Sequence, residues 1–255
     1  ARFIVCATND GRPVETYTGL PSPIARRLSY IAGLSRGWTA ATVDIKTAFL
    51  LVPIHDTIYI RLPSHMPECA TSQGFLPQTV YQLRKALYGL KESPRLFNEF
   101  LAKELGSIKY EKVFDGMFVR NGDSPALLVA YVDDLMLWSS SPVRDLEEIA
   151  AMLPCAEIKP VDVHAQKHIG EDIYHTTRNT VITTMSSFIA QLPSFDEELS
   201  KLPLEYQKFA LKPPNLPLDE WEGSFASEKE SAPIIELYRK MVGTLGWIAN
   251  GHPSV

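Results

Sequence analysis

The chain has 255 residues, a formal charge of −5, and 45% hydrophobic and 22% charged side chains, the make-up of a globular protein with ample material for a core. It contains no run of eighteen apolar residues, which excludes an apolar membrane-spanning helix. Three widely spaced cysteines, Cys6, Cys69 and Cys155, form neither a zinc pattern nor an even-numbered disulfide framework and suit a reducing compartment.

Ala1-Arg2-Phe3-Ile4-Val5 lacks an initiator Met and a signal-peptide layout. It has the pattern of mid-strand residues, so a strand over 1–8 and a chain cut from something longer are expected. A Gly/Pro/Thr-rich loop follows to 23, and Ser22-Pro23 opens a helix to about 35 with Pro near its first turn. The β-branched run from Thr39 to Ile45 predicts a buried strand, and Ile58-Tyr59-Ile60-Arg61-Leu62, ending at Pro63, a strand or hairpin arm. Leu96, Phe97, Phe100, Leu101 and Leu105 recur at helical spacing, predicting a helix over 94–107 with Ser93 as N-cap and Pro94 at its first position.

Two apolar runs, 127–132 and 135–138, separated by Asp133-Asp134, predict a buried hairpin with both acids at its tip. A helix over 142–153, a strand near 155–159, a helix near 162–168 and a hairpin through 169–185 are expected next. In that second helix His164 and His168 would share one face, although no third ligand completes a zinc set. Residues 193–230 are rich in proline and acid and predict an exposed connector, and a last helix over 231–250 stops at Asn250-Gly251-His252-Pro253. Helices mixed with antiparallel hairpins, in no strict βαβ order, indicate an α+β fold.

Charge is unevenly spread. Residues 84–112 hold seven bases (Arg84, Lys85, Lys91, Arg95, Lys103, Lys109, Lys112) against four acids, a basic surface that could contact phosphates or simply a solvated helix face.

The chemistry concentrates at Asp133-Asp134. Tight hairpins favour Asn-Gly or Asp-Gly, and adjacent like charges raise each other's pKa. A divalent cation with hard oxygen ligands would resolve the conflict. Asp44 ends a β-branched strand, where an unpaired buried charge is costly, and is the best candidate for a third acid. Three converging carboxylates suit two-metal phosphoryl transfer, while a strand-terminating Asp that caps a turn remains the plain alternative for Asp44 alone.

The ordered set Asp44-Ile45-Lys46-Thr47-Ala48-Phe49-Leu50, Tyr88-Gly89-Leu90-Lys91-Glu92-Ser93-Pro94-Arg95 and Tyr131-Val132-Asp133-Asp134 resembles the Ty1/copia-type reverse transcriptases of long-terminal-repeat retrotransposons. Similar runs extend the resemblance through nearly the whole chain: Arg2 to Val5, Ile58 to Pro63, Tyr81 to Leu90, His168 to Ile173 and Tyr238 to Leu245.

The resemblance implies a right-hand polymerase with an antiparallel palm sheet backed by helices. Fingers and palm would span 1–192, with the palm core at 40–50 and 95–170. An acidic connector would follow at 193–230 and a thumb/connection helix at 231–255. Asp44, Asp133 and Asp134 would be catalytic, binding two Mg²⁺ ions (Mn²⁺ a possible substitute), with Asp44 and Asp133 the principal ligands. Arg2, Ile45, Lys46, Thr47, Ala48, Phe49, Tyr88 and Gly89 would border the dNTP, Phe49 excluding a 2′-hydroxyl. Lys91, Pro94, Arg95, Tyr131, His168, Ile169 and Gly170 would meet template and primer, with Lys159 a candidate general acid.

The implied partners are an RNA or DNA template-primer, dNTPs, and protease, integrase and RNase H domains of a parent polyprotein, in the cytoplasm within virus-like particles. Two other readings stand beside this one. An RNA-dependent RNA polymerase is disfavoured by Phe49, and a decayed copy would act only as a binding or structural module.

Overall fold

The computed structural model describes residues 4–6, 10–176, 179–192, 195–201 and 228–251. The chain divides into two compact units, Ala1–Ile169 with Ile173–Ile182, and Gly170–Asp172 with Thr183–Val255. In chain order the elements begin with α1 (Pro23–Ser35), β1 (Thr39–Asp44), a 3₁₀ turn at Ala48–Leu51, β2 (Tyr59–Arg61), α2 (Glu68–Thr71) and β3 (Val80–Gln82). They continue with α3 (Ser93–Ser107), β4 (Tyr110–Phe114), β5 (Met117–Arg120), β6 (Ala126–Tyr131), β7 (Asp134–Ser139) and α4 (Pro142–Met152). β8 (Lys159–Val161), β9 (Gln166–His168), β10 (Glu171–His175) and β11 (Val181–Thr184) precede α5 (Ser186–Ile189), α6 (Phe195–Ser200) and α7 (Glu228–Gly251). No helix of the described residues is long and apolar enough to cross a membrane.

The first unit is built on a six-stranded antiparallel sheet in the order β4–β5–β6–β7–β1–β8. Its central strands are covered on both faces, so β6 and β7 are continuous apolar runs rather than alternating ones. Side chains still alternate between the two faces. Val43, Leu128, Leu135 and Leu137 join Phe97, Leu101 and Leu105 of α3 and Leu146 and Ile149 of α4 in one core. Ala40, Leu127, Met136 and Trp138 face the other way and join Tyr30 of α1.

Local chemistry explains the helices. Ser22 caps α1, its Oγ accepting from the Ala25 N–H at 3.1 Å, and Pro23 occupies the first turn. Arg26, Ser29, Tyr30 and Gly33 form its buried face. Tyr30 packs on Trp138 with ring centroids 6.0 Å apart, and α1 lies so close there that a Cβ on Gly33 would come 2.3 Å from Trp138. At the other end of the sheet, buried Arg120 pairs with Asp145 and Glu148 of α4, each at 2.6 Å, and lies over the Tyr110 ring.

Several expectations need correcting. Ser93 lies inside α3 rather than capping it: Glu92 is the N-cap and Ser93 Oγ donates to the Leu87 carbonyl at 2.8 Å. The helix expected near 162–168 is instead β9, so His164 and His168 do not share a helix face. The strand expected at 155–159 begins at Lys159, Cys155 making only an isolated bridge to Ile45. Residues 4–6 are not a strand, although Val5 donates to the Tyr88 carbonyl at 2.7 Å. β4, β5 and α2 were not anticipated.

In the second unit, the Ser187 N–H donates to Asp172 at 2.8 Å, Lys201 and Lys240 both reach Glu198, and the Trp247 ring lies 3.3 Å from where a Cβ on Gly170 would stand. α6 falls within the expected connector at 193–230, most of which lies outside the described residues. α7 contains the expected final helix and starts a little earlier.

Candidate active site

Antiparallel pairing brings together acids that are far apart in sequence. Asp44, the last residue of β1, is the direct register partner of Asp134, the first residue of β7. Direct partners on adjacent strands present their side chains on one face of the sheet. Here that is the face of Ala40, Met136 and Trp138. The hairpin tip is therefore not the Asp-Asp pair. Tyr131 and Asp134 close the ladder, and the two turn residues are Val132 and Asp133.

Val132 has φ +57°. Two-residue hairpins demand positive φ at the turn, normally met by Gly or Asn. A β-branched residue there stores about 1–3 kcal/mol of backbone strain. The turn is fastened from the side: the Asp133 carbonyl accepts from the Ile45 N–H at 2.8 Å, and the Asp44 carbonyl from the Ala156 N–H at 2.8 Å.

Electrostatics single out Asp134. Burial, aided by the charges of Asp133 and Asp44, pushes its carboxyl up to about 7. One contact opposes this, the Ile169 N–H donating to Asp134 Oδ2 at 2.7 Å. Its Oδ1 faces His168 Nε2 at 3.9 Å. His168 is fully buried with neither ring nitrogen hydrogen-bonded, and burial, aided by Arg26, holds the imidazole down at about 3. Neutral His168 therefore lies beside a carboxyl that retains its proton unusually well.

His168 and Ile169 were expected to meet primer; in the structure the Ile169 amide fixes Asp134 and the His168 ring lies beside it. Ile169 has φ +52° and Gly170 φ +77°, turning the chain so that the Ile169 amide faces the acid. A backbone donor carries no side-chain signature, which is why sequence reasoning missed this contact.

The residues expected around a nucleotide divide. The Ile45 N–H is donated to Asp133 and the Lys46 N–H to the Pro154 carbonyl at 2.8 Å, which leaves only Thr47 and Ala48 of the four amides expected at the triphosphate. Thr47 is left-handed, with φ +54°. Phe49 is buried, edge-on to Tyr88 with centroids 4.7 Å apart and to Phe97 at 6.0 Å. Gly89 has φ +91°, and a Cβ there would lie 2.0 Å from the Val5 carbonyl oxygen. Its close backbone neighbour is thus the N-terminal segment. Arg2 lies outside the described residues.

Of the residues expected at template and primer, Lys91 Nζ donates to the Asp10 carbonyl, and Arg95 to the Glu15 carbonyl and Glu99. Pro94 is in the first turn of α3, and Tyr131 pairs with Asp134. Lys159 is exposed on β8, opposite Thr42. Cys155 borders the site as well: burial raises its thiol, and the Asp44 charge adds to the effect.

Among the described residues, no three His, Cys, Asp or Glu side chains form a ready-made metal-binding group. The donor chemistry nevertheless fits a hard cation: Asp134 is raised first by burial and then by the charges of Asp133 and Asp44, and a divalent ion would neutralise that crowding of carboxylates. With both Asp134 oxygens facing the 168–169 segment, Asp44 and Asp133 would be the residues left to hold such an ion.

Comparison with known proteins identifies the family. Residues 3–192 match the family model described as reverse transcriptase (RNA-dependent DNA polymerase). The putative transposon Ty5-1 protein of Saccharomyces cerevisiae is 27% identical over 220 residues, 84% of this chain and 65% of that protein. The Retrovirus-related Pol polyprotein from transposon RE1 of Arabidopsis thaliana is 31% identical over 153 residues, 56% of this chain and 10% of the polyprotein. The yeast Transposon Ty1-NL2 Gag-Pol polyprotein is 22% identical over 260 residues, 97% of this chain and 14% of the polyprotein. The chain therefore spans less than two thirds of the first relative and about a tenth of the second. The match over most of its length makes this chain a member of the reverse transcriptase (RNA-dependent DNA polymerase) family, of the type found in retrotransposon Pol polyproteins.

Proposed function

We propose that the chain is the fingers-and-palm part of an RNA-directed DNA polymerase that extends a primer 3′-OH with dNTPs. The six-stranded sheet would be the palm, residues 50–95 part of the fingers, and the residues beyond 192 the thumb and connection. The observation that carries the reading is the register pairing of Asp44 with Asp134 beside Asp133.

In this reading Asp44 and Asp133 hold Mg²⁺, or Mn²⁺ in its place, at the strand ends. Bound there, a pair of divalent cations would stabilise the attacking and leaving oxygens of an in-line displacement. Asp134 is a positioned neighbour, its carboxyl held by Ile169 and sheltered by His168. The Thr47 and Ala48 amides face the triphosphate, as chain turns commonly do. Phe49, braced by Tyr88 and Phe97, forms a wall that excludes a ribose 2′-hydroxyl. Lys91, Pro94 and Arg95 border the template, and Lys159 is the candidate to protonate pyrophosphate. The remaining partners would be the protease, integrase and RNase H parts of the parent polyprotein, within cytoplasmic virus-like particles.

Single-nucleotide extension by the parent polyprotein tests this on an RNA template with Mg²⁺. We expect incorporation of dNTP in preference to rNTP, abolished by Asp133→Asn with the melting temperature preserved. Equal extension by parent and variant would remove Asp133 from the site. No extension by the parent itself would favour the inactive-copy reading.

A further inference from the structure

Contacts from the N-terminal segment converge on the loop between Tyr88 and Glu92. The Val5 N–H donates to the Tyr88 carbonyl, and the Val5 carbonyl lies against Gly89. Lys91 Nζ donates to the Asp10 carbonyl. The Arg12 guanidinium bridges the two pieces of chain. Its Nε and Nη2 hold the Asp10 carboxylate at 3.0 and 2.7 Å, and Nη2 also reaches Glu92 Oε1 at 2.9 Å. We propose that Arg12 is a positioning residue for sugar selection, acting through Glu92 on the two aromatic rings that brace Phe49. This role presupposes that the chain is a polymerase.

Burial and place in the chain carry it together. The Glu92 side chain is only 4% exposed, and its Oε2 is buried with no hydrogen-bond partner among the described residues. A carboxylate so placed depends heavily on its cation, because breaking a buried pair strands the charge that is left. A guanidinium suits the place, since its planar fork can hold two carboxylates at once.

Glu92 is also the N-cap residue of α3. Tyr88 precedes it in the loop and Phe97 follows it on the helix, and these are the rings edge-on to Phe49 at 4.7 and 6.0 Å. The ion pair therefore fixes the piece of chain from which both rings project. The same N-terminal segment continues along α3, where Arg95 donates to the Glu15 carbonyl. Without the bridge, Glu92 would turn towards water and draw the loop and the start of α3 with it. The Phe49 face would then lose its backing.

The test uses the parent polyprotein and reads two quantities. Competitive single-nucleotide extension gives the ratio of kcat/KM for dNTP over rNTP. Hydrogen exchange of the Leu90 and Ser93 amides, which donate to the Leu87 and Leu90 carbonyls, reports on the loop. The variants are Arg12→Met alone and Arg12→Met with Glu92→Met. The second removes both charges, so it decides if the single variant fails to fold.

We expect the dNTP-over-rNTP ratio to fall about fivefold in each variant. Exchange in the loop should become about tenfold faster while that of β6 and β7 is unchanged. Faster exchange with an unchanged ratio would make Arg12 a structural tie only and overturns the proposal. So does unchanged exchange in the loop, whatever the ratio. A parent that extends no primer sinks the polymerase reading, and sugar selection by Arg12 with it. A parent that extends normally, with variants that keep its ratio, sinks the role of Arg12 alone.

Discussion

The Ile169 main-chain N–H donates to the carboxylate of Asp134 at 2.7 Å across 35 residues of sequence. This contact ties the far end of β9 to the strand that carries the acids. It also places buried His168 beside Asp134, so the two titrate as neighbours.

Their opposing shifts predict an unusual pH profile in metal-free buffer. Asp134 is raised from 3.8 to about 7. Between those values the folded state holds one proton more than the unfolded state, so this group lowers stability as pH rises. His168 is lowered from 6.5 to about 3. Over that range the unfolded state holds the extra proton, so this group raises stability as pH rises. The two contributions cancel between about pH 4 and pH 6.5. Asp134→Asn should uncover the histidine slope, stability rising by about 1.4 kcal/mol per pH unit. His168→Gln should uncover the opposite slope. Urea midpoints across this range check it, and slopes of the same sign in both variants would contradict the assignment.

The Arg120 cluster predicts a contrast between its two acids. Arg120 and Asp145 are both buried, whereas the Glu148 side chain is about half exposed. Asp145→Asn should cost about 3–5 kcal/mol by stranding a buried guanidinium. Glu148→Gln should cost under about 1 kcal/mol. Removing both buried charges together, Arg120→Met with Asp145→Leu, should recover most of the loss in chemical denaturation.

Gly33→Ala should destabilise the first unit by about 1–3 kcal/mol, because the new methyl meets the fully buried Trp138 and α1 must lift. On an isolated helix the same change would help by about 1 kcal/mol. A higher melting temperature in the variant would show that α1 does not pack so closely on Trp138.

Phe49→Leu keeps the core volume nearly constant, so its stability cost should stay below about 1.5 kcal/mol. If the Phe49 face excludes the 2′-hydroxyl, discrimination between dNTP and rNTP should fall by about tenfold. Competitive single-nucleotide incorporation measures the ratio, and an unchanged value would assign Phe49 to packing alone.

Much of the first unit was legible from periodicity and punctuation. Ser22-Pro23 marked α1, the spacing of Phe97, Leu101 and Leu105 marked α3, and the apolar runs marked β6 and β7. The error at the hairpin tip had a physical cause, since two polar residues between apolar runs look like the turn, yet Val132 occupies the strained position and Asp134 the ladder. The helix expected near 162–168 failed because short polar segments take their conformation from their neighbours. The clamp on Asp134 was invisible because its donor is a main-chain amide. Lys91 and Arg95 could be read as a solvated helix face, although each has a specific partner that only the fold supplies.

The alternation of side chains along β7 acts as a ruler for the chemistry. Met136 and Trp138 face α1, while Leu135 and Leu137 face α3 and α4. A slip of one residue would exchange these sets and swing Asp134 into the apolar layer below. Both layers resist that exchange, the indole of Trp138 above all. The large hydrophobic side chains far from the acids therefore dictate, to within a residue, where Asp44 and Asp134 stand opposite one another.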